Sequence, residues 1–434
     1  MRENMIARPH YHSRLASAAA LGMAAAVLQL SALAQDADDA PGKKHKVDIA
    51  SLPEPFATES VRNHSEVVDR PDGAELQVPD GFSVAKFADG FEHPRYLCTA
   101  PNGDIFVTES NPGKILVLRD KDGDGQPETK EEFAGGLNKP FGLAFYPPGK
   151  DGATHLYVAE TDGIVRFAYS DGDLQATGEA EPVAKFDGGG HLEGGGHWTR
   201  DIAFSADGED LYAAVGSKTN VNEEGLDIED ERARIFVMGP DGSNKRPYAT
   251  GIRNPVGIAV HPDTGDLWTS VNERDGLGHD LVPDYITRVK EGGFYGWPWY
   301  YMGGHPDPHH KDNPHEELAD KVLDPDIPVV SHSATLNMVI YTGDQFPDEY
   351  RGDAFAAFHG SWNREPRTGY KVVRVDLQDG VPAEAGVYED FLTGFLLPDG
   401  TVWGRPVGLT VAADGALLMS EDGNNTIWRI AHDG

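Results

Sequence analysis

The chain of 434 residues holds one cysteine, Cys98. A single thiol excludes an internal disulfide, a cysteine zinc site and a covalently attached c-type haem. Positive charge is scarce as well, with 37 Lys and Arg against 71 Asp and Glu and a formal net charge of −34. Such an excess of carboxylates repels phosphate backbones and anionic headgroups, so nucleic acid and anionic membrane surfaces are not expected partners. Long apolar runs are missing beyond the first few dozen residues, which argues against stable membrane insertion. The exception is at the start. Arg2, Arg8 and Arg14 lead into the Ala- and Leu-rich run Leu15–Leu33, and Ser31-Ala32-Leu33-Ala34 offers small residues before Gln35. This pattern predicts a cleaved export signal over 1–34 and a periplasmic or secreted protein.

Turn formers are plentiful. The 51 glycines and 30 prolines point to a mainly β chain rather than a helical one. Residues 35–74 are polar and without periodicity, and read as a flexible linker or wrapping arm. From residue 75 a phrase recurs: an apolar strand, a turn carrying glycine, and a second apolar strand. It occurs at Pro94–Ser110, Pro140–Thr161, Thr199–Ser217, Pro255–Glu273, Leu336–His359 and Pro406–Asp422. Six copies at spacings of roughly 45 to 80 residues predict an all-β, six-bladed β-propeller over 75–434. A β-sandwich does not usually repeat one hairpin six times, and no linker interrupts the repeat to suggest two domains.

In a propeller blade the first two strands run antiparallel, so the residues before the first and after the second emerge on one face. Aligning the copies on Ala144, Ala203, Ala259 and Thr410 places Asn138, His197, Arg253 and Gly404 six residues earlier. One position on stand Lys139, Trp198, Asn254 and Arg405, and the second strands end at Glu109, Glu160, Ser217, Asn272-Glu273, His359 and Glu421-Asp422. Polar groups at one register in several blades predict a small-molecule site at one mouth of the central channel. Lys139, Arg200, Arg253, Arg364 and Arg405 would form a positive island there, suited to an anionic ligand.

Individual motifs sharpen this reading. Gly194–Arg200 (GGGHWTR) offers His197 as a general base, the residue type best suited to that task near neutral pH. Gly251–Gly257 (GIRNPVG) offers Arg253 to hold a carboxylate or polarise a carbonyl, with Asn254 as a second donor; bracing between blades is the alternative. Asn272–Tyr285 (NERDGLGHDLVPDY) is an acidic, glycine-bearing loop of the kind that holds a hard cation such as calcium. Asp120, Asp122 and Asp124 open a stretch (DKDGDGQPETKE) with calcium-loop spacing, flanked by strands rather than helices, so a structural calcium loop and a plain acidic turn stay open. His305–His315 could bind a transition metal but reads better as a solvated insertion. Most of Phe294–Tyr301 (FYGWPWYY) reads as blade packing.

Taken together, GGGHWTRDIAFS, GIRNPVGIAVHP, NERDGLGHDLVPDY, EGGFYGWPWYY, HGSWNREPRTGYKVV and WGRPVGLTVAADGALLMSEDG resemble the sorbosone dehydrogenase branch of the soluble sugar dehydrogenases that depend on pyrroloquinoline quinone (PQQ). The resemblance runs from about Pro79 to Ile430. It implies a propeller that binds PQQ and calcium noncovalently on its top face, and oxidation of a sugar hydroxyl, hemiacetal or aldehyde. It makes His197 the base that takes the substrate proton, and places Arg253 and Asn254 beside the quinone. Arg405 then holds a cofactor carboxylate, and His359 falls where better-known relatives use lysine. Backbone carbonyls in the Asp275–Gly278 stretch, with Asp275, Gly276 and Gly278, become the calcium ligands. Arg200, Asn138 and Lys139 complete the cofactor shell. The chain departs from the family at Ser217, where a carboxylate is expected, at Leu137 or Asn138 in place of glutamine, at Val407 in place of a paired arginine, and at His279. Without a haem of its own the enzyme needs a separate electron acceptor, a quinone or a cytochrome. Two other readings remain: a calcium-dependent lactonase or esterase centred on Glu109, Asn272 and Glu421, and a propeller that only binds ligands or partner proteins.

Overall fold

Strand follows strand with scarcely a helix between them. The computed structural model describes residues 39–149, 152–188 and 196–434. The expected export signal, and Gly194-Gly195 of the histidine motif, lie outside those residues.

Six sheets of four or more strands follow one another in sequence order. Blade 1 takes Pro94–Thr99, Ile105–Glu109, Lys114–Arg119 and Thr129–Ala134, and blade 2 takes Leu143–Tyr146, His155–Glu160, Gly163–Ala168 and Glu181–Lys185. Blade 3 is Arg200–Phe204, Leu211–Val215, Arg234–Met238 and Arg246–Thr250, and blade 4 is Pro255–Val260, Leu267–Val271, Asp284–Arg288 and Ile327–Val329. Blade 5 is Thr335–Ile340, Ala354–Phe358, Lys371–Val375 and Val387–Leu392, with Lys44–Lys46 added at its outer edge. Blade 6 combines Pro406–Val411, Leu417–Glu421 and Thr426–His432 with Phe82–Ala88, drawn from the other end of the chain. That last pairing closes the ring. The all-β six-bladed propeller expected from the repeat is what the chain adopts.

The sequence explains the layering. Second strands such as Ile105–Glu109, Leu211–Val215 and Leu267–Val271 are buried at every residue. They lie between neighbours on both faces, so they read as continuous apolar runs rather than alternating ones. The connecting turns need glycine: Gly208 and Gly415 sit at φ of 73° and 88°, a region that resists a Cβ.

The innermost pair carries a device the sequence pattern did not reveal. In blades 1, 4 and 6 the register between the first two strands slips near the start of the first strand. At each slip a buried hydroxyl from the fourth residue of the second strand takes over a backbone N–H. Thr108 accepts from Tyr96 N at 3.0 Å, Ser270 from Gly257 N at 3.2 Å and Ser420 from Gly408 N at 2.9 Å. A bulge bends its strand and re-aims the side chains beside it. The residues next to these bulges are Arg95, Arg253-Asn254 and Arg405.

Candidate active site

His197 leads into the first strand of blade 3, and its backbone is fixed from below. Arg200 Nη1 and Arg232 Nη2 donate to its carbonyl at 2.8 and 2.9 Å. Its Nδ1 lies 2.9 Å from the Ser217 carbonyl oxygen and 3.1 Å from the Ser217 hydroxyl. The hydroxyl gives its own proton to Thr219 O at 2.7 Å, and a carbonyl only accepts, so Nδ1 carries the ring proton. Burial, and then the positive charge of Arg253, push the imidazole down to about 3. The ring is therefore neutral, and its Nε2 lone pair has no hydrogen-bond partner among the described residues. That is the tautomer a general base requires.

Ser217 thus fills the place of the expected carboxylate. A carbonyl and a hydroxyl orient the ring but do not stabilise its protonated form as a carboxylate would. Gly216 permits the arrangement. A Cβ there would lie 2.7 Å from His197 Cβ and closer still to Asn254 Oδ1. Gly216→Ala is expected to push both side chains aside and to lower kcat at least about tenfold, since small misplacements of catalytic groups are expensive. Steady-state kinetics on a variant that unfolds at the wild-type temperature checks this.

Arg253, expected as a ligand-facing guanidinium, has its donors engaged inside the protein. Nε donates to Asn220 O at 3.0 Å and Nη1 to the carbonyls of Asn272 and Glu273 at 3.3 and 2.6 Å. Nη2 reaches Asn220 Oδ1 at 2.9 Å and Asp275 Oδ2 at 3.4 Å. It braces two loops while lending its charge to the site. Arg200 is fully buried beneath His197, and burial lowers its guanidinium to about 9, so it is a support and not part of the mouth. Arg364 is turned to Asp280 at 3.0 Å and to the His279 carbonyl. Asn138 is exposed, bonded to Glu160 and Asp162 at 2.6 and 2.9 Å. Asn254 is buried with no partner for its Oδ1.

Opposite lies a second group of charges. Asp422 accepts from His359 Nε2 at 2.8 Å and from Arg95 Nη1, with His93 Nε2 at 3.4 Å. Burial works against its ionisation, but His359 and Arg95 outweigh it and hold the carboxyl well below the usual carboxylate range. Arg405 Nε donates to His359 O at 3.3 Å, leaving its two terminal nitrogens without a partner among the described residues. Lys139 Nζ stands 5.3 Å from the centre of the Trp198 ring, with Arg95 5.7 Å from the same ring. Lys139, Arg95 and Arg405 are the cations of this group, since burial and then Arg95 keep His93 toward its neutral form, and burial and then Arg405 hold His359 to about 4. The positive island exists, but with a different membership from the one expected. Arg95 and His93 were missed, although the register was there to find His93: five residues before Cys98, it matches Lys139 and Arg405 in the first repeat.

The loop expected to hold calcium is already engaged. Asp275 O accepts from Asn220 Nδ2 at 2.9 Å, Leu277 O from Phe56 N at 2.8 Å and Gly278 O from His332 Nε2 at 3.2 Å. His332 and Arg253 overcome the effect of burial on Asp275 and hold its carboxyl down to about 2. Asn363 donates to Asp275 Oδ1 at 2.7 Å. Three of these carbonyls have donors in place beside Arg253, His332 and Arg364, whereas the Gly276 carbonyl has none among the described residues. Asp120, Asp122, Asp124 and Glu128 do bring carboxylate oxygens within 4.8 Å of one another. They lie between the third and fourth strands of blade 1, on the face opposite His197.

The remaining features are structural. His305, His310 and His315 turn to Ile49 O, Val221 O and Glu317 respectively, and make no shared cluster. The aromatic stretch is largely packing, with Trp297 Nε1 donating to Asn220 O at 2.9 Å. Glu109 pairs with Lys114 at 3.1 Å, Asn272 donates to Thr335, and Glu421 accepts from the backbone N–H groups of Gly423, Asn424 and Thr426. Each of the three side chains is thus engaged within the protein.

The glucose/sorbosone dehydrogenase model matches residues 91–361. The chain belongs to that family. A second model, TrAA12-like, matches residues 305–433. An uncharacterized protein of Borreliella burgdorferi is 28% identical over 367 residues, 82% of this chain and 91% of that one. The PQQ-dependent pyranose dehydrogenase of Coprinopsis cinerea is 24% identical over 413 residues, covering 82% of this chain and 54% of that protein. The chain therefore spans about half of that relative. The holo PQQ domain of the Coprinopsis enzyme superposes with a TM-score of 0.69 at 21% identity, over 85% of this chain and 100% of the domain. The likeness concerns the fold. In this glucose/sorbosone dehydrogenase family member, His197 stands ahead of the first strand of blade 3. No helix among the described residues is long and apolar enough to cross a membrane.

Proposed function

We propose that this chain is a periplasmic or secreted PQQ-dependent dehydrogenase of the sorbosone branch, oxidising a sugar hydroxyl, hemiacetal or aldehyde. The observation that carries the reading is the neutral His197, with Nε2 open, together with Lys139 and the two terminal nitrogens of Arg405, which have no hydrogen-bond partner among the described residues. PQQ is a tricarboxylate, and Lys139 and the free end of Arg405 suit its charge. When bound, the cofactor supplies a quinone that takes up hydride from the substrate carbon. The residues do the rest. His197 Nε2 accepts the hydroxyl proton as the C–H bond breaks, Ser217 keeps the ring in the right tautomer, and Arg232 and Arg200 hold the backbone beneath it. Asn254 Oδ1, buried and unpaired, is an acceptor awaiting a donor from the ligand. Arg253 holds the loops in place, and burial first, then its charge, keeps His197 neutral.

A separate acceptor, a quinone or a cytochrome, removes the electrons. Calcium in this reading belongs at the 120–128 loop, as a brace for the outer hairpin of blade 1. Chelation is expected to lower the thermal midpoint by about 1 °C per kcal/mol of binding lost, as for a chain of this size, and to leave kcat at saturating PQQ unchanged. Calorimetry and kinetics on the same sample check both halves.

The deciding experiment is dye-linked oxidation of an aldose panel by apo-protein with and without PQQ. Turnover only with PQQ supports the reading. No PQQ binding, with lactone hydrolysis in its place, would overturn it in favour of the hydrolase.

A further inference from the structure

Residues 56–68 lie before the span matched by the family model, yet they cross the upper face from blade 4 to blade 6. On the loop of blade 4, Thr58 Oγ1 accepts from His279 N at 3.0 Å and Ser60 Oγ from Gly278 N at 3.1 Å. On the loop of blade 5, Asn63 N donates to Trp362 O at 2.6 Å and Asn63 Nδ2 to Arg364 O at 2.9 Å. The His64 ring stacks on Trp362 with centroids 5.4 Å apart, and Arg367 Nη2 donates to His64 O at 2.8 Å. At blade 6, Val402 N donates to Glu66 O and Val68 N to Val402 O, both at 2.9 Å.

Gly278 is shaped for this crossing. It sits at φ 113°, and a Cβ on it would meet Thr58 Oγ1 at 2.6 Å and Thr58 O at 2.8 Å. The glycine expected to serve a metal instead makes room for the arm. The two fastened loops carry Asp275 and Asn363, which join at 2.7 Å, and Asp275 in turn reaches Arg253 at 3.4 Å. The arm therefore ends a chain of contacts that begins beside His197.

We propose that residues 56–68 are a strap that holds the Asp275 loop and the Asn363 loop together against Arg253, and so sets the affinity of the ligand bound beside His197. The ligand in this statement is PQQ, so it rests on the function proposed above. Thr58 and Ser60 are positioning residues, since they touch the loop and not the reacting atoms. Their hydroxyls each satisfy one loop N–H that is otherwise left to solvent or burial.

The test uses the full chain carrying Thr58→Ala and Ser60→Ala together. Amide hydrogen exchange over 275–281 and 361–368 is expected to quicken about tenfold, as for a segment released to local opening. The dissociation constant for PQQ, from quenching of tryptophan fluorescence, is expected to rise about tenfold. The global unfolding temperature should hold, and Thr58→Ser alone should keep wild-type affinity because it keeps the hydroxyl. Exchange identical to wild type in both peptides overturns the strap, as does faster exchange with unchanged affinity. A wild-type chain that binds no PQQ counts against the function instead, while the exchange comparison still decides whether the arm fastens the loops.

Discussion

Replacing His197 with alanine is expected to lower kcat by about a hundred- to ten-thousand-fold, the range for loss of a general base, while PQQ affinity changes only a few fold. The geometry favours a clean result. Arg200 and Arg232 hold the backbone carbonyl of residue 197, which the substitution leaves in place, so the loop should keep its course. The pH profile carries further information. A base that protonates at about 3 is fully neutral at pH 5 and above, so kcat should show no acid limb from this group until pH falls toward 3. Ser217→Asp would place a carboxylate against Nδ1–H and stabilise the protonated ring, moving that limb upward. Kinetics of both variants from pH 4 to 9 provide the check. Wild-type turnover in His197→Ala would remove this residue from the path of the proton.

The second large effect is on cofactor affinity. Lys139→Ala and Arg405→Ala are each expected to weaken PQQ binding by roughly ten- to a hundredfold, the worth of a charge-assisted hydrogen bond. The double variant should lose less than the product of the singles if both residues touch one ligand. Arg405→Lys should recover only part of the loss, since an ammonium cannot replace a two-pronged guanidinium. Arg166→Ala removes the same charge from the outer edge of blade 2, where Arg166 pairs with Glu181 at 3.1 Å, and should leave affinity alone. Fluorescence titration at two salt concentrations separates contact from general field, because distant charges are screened. If Arg166→Ala weakened binding as much as Arg405→Ala, the pocket would not be local.

Much of the architecture was legible because propellers write themselves periodically. Each hairpin needs a glycine turn and two apolar strands, and those features sit close together in sequence. The shared register also puts His197, Lys139 and Arg405 ahead of the first strands of their blades. What it could not reveal was which cations were free. Arg253, Arg200 and Arg364 look alike in sequence, but Asn220, the carbonyl of His197 and Asp280 take up their donors. Asn220 and Asp280 come from other turns of the chain. Arg95 escaped notice because it lies inside the first strand of blade 1, past the aligned positions that precede the strands. The engagement of the 275–279 loop was equally hidden, since an arm more than 200 residues upstream supplies Phe56 N to the Leu277 carbonyl and hydroxyls to the N–H groups of Gly278 and His279.

The seam between blades 1 and 6 has a temporal meaning. Arg95 and Asp422, joined across it, are separated by 327 residues, and Thr426–His432 must emerge before Phe82–Ala88 can find its partner. Through most of synthesis, Arg95 stands without the carboxylate that later pairs with it. The anion pocket is thus born last, in the same event that shuts the ring. An anion lodged there spans the join and acts as a clasp, favouring the shut form over any form open at the seam.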